Sequence, residues 1–171
     1  MAEAPLPHRV DAVKLIEVNQ RFNAKIDPSK LDRLSEAVEQ VLEPVLCELE
    51  FRRDDDNSRA LEGQCSTRVS MICQRCLDVV EFPIESQVSL GLVFNDDQAK
   101  ALPRRFEPVL MDENGILDLW SVIEDEVLLA LPSFPTHPQS ECQLSQPEPD
   151  ETTDTVERPN PFDVLAQLKK K

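Results

Sequence analysis

Between Val45 and Val93 the chain alternates apolar and polar residues almost without a break, and that period of two commits it to sheet. Val45, Cys47, Leu49 and Phe51 point one way, and Glu48, Glu50 and Arg52 the other. After the turn Asp54-Asp55-Asp56-Asn57-Ser58, the residues Leu61, Gly63, Cys65, Thr67, Val69 and Met71 share a face against Glu62, Gln64, Ser66, Arg68 and Ser70. A third run, Val79 to Val93, puts Val80, Phe82, Ile84, Val88, Leu90 and Leu92 together. Strands joined this closely predict an antiparallel meander with one covered face. Two helices supply the cover. Asp27-Pro28 opens the first, with Leu31, Leu34, Val38 and Val41 in one stripe and Pro44 as its stop. Asp118 caps the second, with Leu119, Ile123, Val127 and Ala130 in a stripe widened by Trp120, Leu128 and Leu131, and Pro132 ends it. Val13 to Val18 reads as a short strand and residues 95–115 as irregular. The Asp54–Asp56 triplet reads as a solvated turn, since the later acidic ligand and the glycine of a calcium loop are missing. Glu124-Asp125-Glu126 reads as a mainly solvated helix rim.

The fold class is therefore α+β: an antiparallel β-meander packed by two amphipathic helices, with a disordered acidic linker and a short C-terminal helix. The core domain covers 1–137. The linker, 138–158, is rich in Pro, Glu, Ser and Thr, and between Glu141 and Glu157 it has six carboxylates and no Lys or Arg. In the last segment, 159–171, Asn160-Pro161 opens a helix with Phe162, Leu165 and Leu168 on one side and Lys169, Lys170 and Lys171 at its end. At roughly ten residues such a helix is marginal alone. It calls for a surface, either the protein's own body or a partner's groove, with those six residues as the contacts.

Composition narrows the function classes. Eighteen Lys and Arg stand against 33 Asp and Glu, a formal net charge of −15. Such a body repels nucleic acid at long range and suits basic protein partners. Gly63, Gly91 and Gly115 are the only glycines and are isolated, which excludes a phosphate-cradling loop. No apolar run approaches the ~18 residues of a membrane span, and Met1 to Arg9 lacks the apolar stretch of a signal peptide. The chain reads as cytoplasmic, with its five cysteines reduced or metal-bound. Two histidines, no tyrosine and no serine elbow leave little for acid–base or nucleophilic catalysis, so the chain reads as no enzyme.

The motif with most chemical content is Cys73-Gln74-Arg75-Cys76, at the expected turn between the second and third strands. A C-x-x-C on a tight turn aims two sulfurs at one point, half of a tetrahedral zinc site. His137 and Cys142, just after the second helix, offer the other half, and His8 near the N-terminus is the only other histidine. One structural zinc on Cys73, Cys76, His137 and Cys142 is one reading, and free reduced thiols are the other main one. A redox pair is a third, although thioredoxin-like pairs begin a helix, where its dipole activates the first thiol. Cys47 and Cys65 fall on apolar strand faces and read as core.

Several motifs in order, Cys73-Gln74-Arg75-Cys76-Leu77, Ala101-Leu102-Pro103, Glu124 through Pro132, Pro135-Thr136-His137 and Pro159-Asn160-Pro161-Phe162 onward, resemble the YceD family of large ribosomal RNA subunit accumulation proteins, bacterial with relatives in plastids. Members outside this branch carry further cysteines after the Leu-Pro motif, where this chain has His137 and Cys142. The resemblance implies a non-enzymatic factor for synthesis, processing or stability of 23S ribosomal RNA. Set against the net charge, it favours an acidic adaptor whose partner is a ribosomal protein or ribosome-assembly factor, with rRNA reached directly or indirectly. The alternative is direct rRNA binding through a zinc knuckle and Arg68, Arg75, Arg104 and Arg105, supported by Arg52, Arg53 and Arg59 on the first hairpin. An rRNA-processing enzyme would need a metal-binding carboxylate cluster, and no such cluster is evident. Deleting residues 159–171 is expected to leave the core folded, because the helices and strands lie upstream, yet to abolish support of rRNA accumulation. Thermal melting of the truncated chain and large-subunit rRNA levels in cells carrying it check the two halves.

Overall fold

A computed structural model of the chain describes residues 4–142. In chain order the elements are β1 (Ala4–Pro5), β2 (Arg9–Asp11), α1 (Ala12–Glu17), β3 (Arg21–Ile26), a 3-10 turn (Pro28–Lys30), α2 (Asp32–Ala37), β4 (Gln40–Val41), β5 (Val45–Arg53), β6 (Arg59–Ile72), β7 (Val79–Val93), α3 (Asp96–Ala101), β8 (Glu107–Leu110), β9 (Ile116–Asp118) and α4 (Leu119–Leu129). The fold is α+β, as expected, with more helices and a more mixed sheet than two helices on a plain meander.

The alternating segment forms the sheet's centre. β5, β6 and β7 pair antiparallel, Cys47 opposite Cys65 and Thr67 opposite Ile84. β3 extends the sheet antiparallel beyond β5, and β1 lies parallel on β3. At the other side β8 lies parallel on β7, which the meander expectation did not include. β2 and β9 make a separate two-stranded ribbon. One sheet face carries the main core, where Ile26, Phe51, Leu61 and Leu90 meet Ile16, Leu34, Ile123 and Val127 of the helices. Gly63, mid-strand in β6, has φ +152°, and a Cβ there would lie 1.9 Å from the Glu48 carbonyl oxygen, so only glycine fits.

Three expectations about the elements change. Val13 to Val18 is helical instead of extended: the Asp11 carboxylate accepts the Lys14 N–H, Ala12 and Ile16 bury one turn apart, and Asn19 ends the helix in the left-handed region. The helix opened by Asp27 is only the 3-10 turn and α2. Val38 is already extended, and Val41 lies in β4. The reason lies in the sheet: β6 outruns β5, so β4 takes the vacant pairing opposite Val69 and Ser70. Glu39 N–H and Leu42 N–H donate to the Ser70 and Arg68 carbonyls at 2.9 and 2.8 Å. That pairing satisfies backbone groups a longer helix would leave orphaned. Residues 95–115 hold α3, capped by Asn95, and β8. This segment covers one end of the outer sheet face: Leu102 and Phe106 pack so closely over Gly91 that a Cβ there would lie 2.5 Å from a Leu102 methyl.

The acidic triplets also differ from expectation. Asp54 is buried and accepts the Ser58 N–H at 2.7 Å, while its other oxygen pairs with Arg105. Glu124 on α4 is buried too, accepting Leu34 N–H at 3.0 Å and Arg33 Nε–H at 2.9 Å, and so ties α2 to α4. α4 itself forms as read, with Asp118 accepting Ser121 N–H at its N-terminus and Leu119, Ile123 and Val127 buried. No helix among the described residues is long and apolar enough to cross a membrane. The linker beyond Cys142 and the whole 159–171 segment, with Phe162, Leu165, Leu168, Lys169, Lys170 and Lys171, lie outside the described residues.

Candidate metal centre

The β6–β7 pairing runs to Ile72 opposite Val79, so the six residues between must reverse the chain. Within that turn Cys73 N–H donates to the Asp78 carbonyl at 2.8 Å and Leu77 N–H to the Cys73 carbonyl at 3.0 Å. Both cysteine side chains thereby end on one side of the turn. Leu77 closes it with φ +64°, a conformation that costs an L residue about 1–2 kcal/mol.

The loop after α4 returns to this turn and is held there by several contacts, two of them made by the residues between the cysteines. Gln74 N–H donates to the Pro135 carbonyl at 2.9 Å, and the Arg75 guanidinium donates to the His137 carbonyl. The result brings together the four residues singled out above. Cys73 Sγ lies 3.9 Å from Cys142 Sγ, and Cys76 Sγ lies 3.3 Å from His137 Nδ1. One ligand atom from each of Cys73, Cys76, His137 and Cys142 lies within 4.8 Å of all the others, a cluster that could hold a metal ion.

The surroundings prepare the donors. His137 Nε2 is 3.1 Å from the Val79 carbonyl oxygen. A carbonyl only accepts, so Nε2 carries the proton and Nδ1 turns a lone pair toward the sulfurs. Burial alone would push the Cys73 thiol up, but backbone N–H groups of Cys76, Arg75 and His137 bring it down to about 5. At Cys76 the Asp78 backbone N–H favours the thiolate. Burial and the adjoining Cys73 and Cys142 sulfurs outweigh it and push Cys76 up to about 11. Cys47 and Cys65 are elsewhere, buried in register on the core face with sulfurs 3.5 Å apart, and the Cys47 contact followed by burial drives the Cys65 thiol far up. These two belong to the core, as read.

The candidate RNA-binding arginines are scattered by the fold. Arg68 lies on β6 with Nε 3.4 Å from a Glu43 oxygen. Arg75 holds the loop at His137. Arg105 pairs with buried Asp54 and, at 2.8 Å, with Asp56. Arg104 is exposed, with no ion pair among the described residues. On the first hairpin Arg52 pairs with Glu62, and Arg59 lies over the Phe94 ring at 5.3 Å. What the sequence did not reveal is the structural use of Arg75 and Arg105, since their partners lie 62 and 51 residues away.

A family model described as "Large ribosomal RNA subunit accumulation protein YceD" matches residues 61–169. The chain belongs to the YceD family. A Haemophilus influenzae protein, "Large ribosomal RNA subunit accumulation protein YceD", is 34% identical over 177 residues that cover the whole of both chains. No solved structure matches. The YceD match begins just inside β6 and so takes in the whole Cys/His cluster together with α4 and the Asp54 partner Arg105.

Arg105→Ala should lower the urea midpoint of unfolding, because it strands the buried Asp54 carboxylate. Burial works to raise the Asp54 carboxyl, but the Ser58 N–H and the Arg105 guanidinium bring it below its ordinary value. The stabilisation is thus complete above about pH 4, the ordinary carboxylate value, and is lost as pH falls through the lower native value. Urea titrations should show the variant's deficit near neutrality and its shrinkage in acid.

Proposed function

We propose that the chain supports accumulation of large-subunit (23S) ribosomal RNA without catalysing a reaction, as a cytoplasmic acidic adaptor for a basic ribosomal or ribosome-assembly protein. Family membership supplies the rRNA connection. The observation that carries the adaptor reading is the fate of the arginines: Arg68, Arg75 and Arg105 are each engaged within the chain, by Glu43, by the His137 carbonyl and by Asp54 with Asp56. Phosphate binding draws its strength from clustered cations free to displace counterions. A chain of net charge −15 that spends three of its four candidate arginines on its own scaffold offers basic proteins more than it offers RNA.

The isolated protein should bind bare large-subunit rRNA no better than an unrelated acidic protein near physiological salt. Filter binding or electrophoretic shift across a salt series measures this. Sub-micromolar binding that disappears on Arg68→Ala with Arg75→Ala would replace the adaptor by the second reading, direct rRNA contact through the hairpin end.

Zinc is the ion we assign to the Cys/His cluster, with Cys73, Cys76 and Cys142 as sulfur ligands and His137 as the nitrogen ligand. Zn–S bonds of about 2.3 Å put tetrahedral sulfurs about 3.8 Å apart, close to the 3.9 Å between Cys73 and Cys142. The Val79 carbonyl fixes the histidine tautomer as an outer-sphere partner should. Four protein ligands make a closed, structural site, whose contribution is to fasten the loop after α4 to the β6–β7 turn. Freshly purified, reduced protein from zinc-replete cells should hold one equivalent by elemental analysis. Cys73→Ser should lose it and melt several degrees lower. Metal well below one equivalent in the unaltered protein removes the assignment.

A further inference from the structure

Three large apolar side chains stand exposed at the same end of the molecule as the Cys/His cluster: Leu77 at 73%, Val79 at 56% and Phe134 at 77%. Their neighbours tie them together. Phe134 precedes Pro135, whose carbonyl accepts Gln74 N–H. Val79 offers its carbonyl to His137. Leu77 lies between Cys76 and Asp78, in the left-handed conformation that favours glycine. A leucine kept outward in such a place keeps a side chain that the turn itself does not need. No other described element covers these three, and a grouped apolar patch on a soluble domain marks a binding surface.

We propose that the chain's own C-terminal segment, Asn160 to Lys171, occupies this patch. The described chain ends at Cys142, itself a member of the cluster, so the remainder departs from this end of the molecule. Nineteen residues lie between Cys142 and Phe162. A chain of that length reaches the patch with ease, since even a coil of it spans about 25 Å. The segment brings Phe162, Leu165 and Leu168 as apolar anchors and Lys169, Lys170 and Lys171 as its only cations. Asp78 and Glu81 lie exposed beside Leu77 and Val79, the opposite charge to those lysines. Attachment on one chain keeps the segment at high effective concentration at the patch, so a modest contact suffices. This inference is independent of the adaptor reading: it concerns what covers one end of the domain, whichever molecule the domain serves.

The full chain, with labelled methyl groups, tests it by nuclear magnetic resonance. Contacts between the Phe162 ring and the Leu77 and Val79 methyls are expected. Phe162→Ser should shift those methyl resonances and leave those of Leu46 and Leu110, exposed elsewhere on the sheet, in place. Leu77→Gly keeps the left-handed turn while removing the side chain, so it should lose the contacts with no fall in melting temperature. Absence of Phe162 contacts in the unaltered chain overturns the proposal, as do contacts to Leu46 or Leu110 instead. Contacts found only between differently labelled copies in a mixed sample also overturn it, in favour of a second copy as the occupant.

Discussion

The pairing of β6 with β7, from Ala60 opposite Gly91 to Ile72 opposite Val79, is the constraint on which the other elements depend. Its register decides which side chains face the core, because a slip of one residue would exchange the two faces. β5 and β4 then share one edge of β6, β8 takes the end of β7, and the helices cover the apolar face that results. The hairpin's closed end is the Cys73–Cys76 turn. A long, regular ladder therefore delivers two thiols to a fixed point, and contacts from Gln74, Arg75 and the Val79 carbonyl hold the loop after α4 so that His137 and Cys142 meet them.

Charge is organised by the same economy. In a protein of net charge −15 the few cations could have formed a patch for polyanions. Instead Arg105 fastens the segment after α3 to the first hairpin through Asp54, and Arg33 joins α2 to α4 through Glu124 and, at 2.5 Å, Asp125. Removing either arginine would leave a buried carboxylate without its partner, which costs more than the pair contributes.

Much of this was legible in the chain. The strands over Val45–Arg53, Arg59–Ile72 and Val79–Val93 follow from the alternation of apolar and polar residues, and α4 from its Asp118 cap and apolar stripe. The C-x-x-C turn and the two further ligand types after α4 were legible from spacing and position. Less legible were places where a local pattern competes with a distant partner. Leu31, Leu34, Val38 and Val41 fit a helical stripe, yet the chain leaves the helix at Val38 because β6 offers unpaired backbone groups to β4. The segment 95–110 has no strong period of its own and takes its shape from the outer sheet face, where Gly91 leaves room for Leu102.

By itself the sequence determined the period, the caps and the supply of ligands, because those depend on neighbours a few residues apart. Tertiary structure alone decided which carboxylates are buried and which arginines are spent. The acidic triplet in the turn and the one in the helix look alike as text. Asp54 and Glu124 become interior groups because Arg105 and the Leu34 N–H, 51 and 90 residues away, are brought within hydrogen-bonding reach. The same is true of the cluster: two pairs of donors become one site because the turn and the loop exchange backbone hydrogen bonds, and no spacing along the chain encodes that meeting.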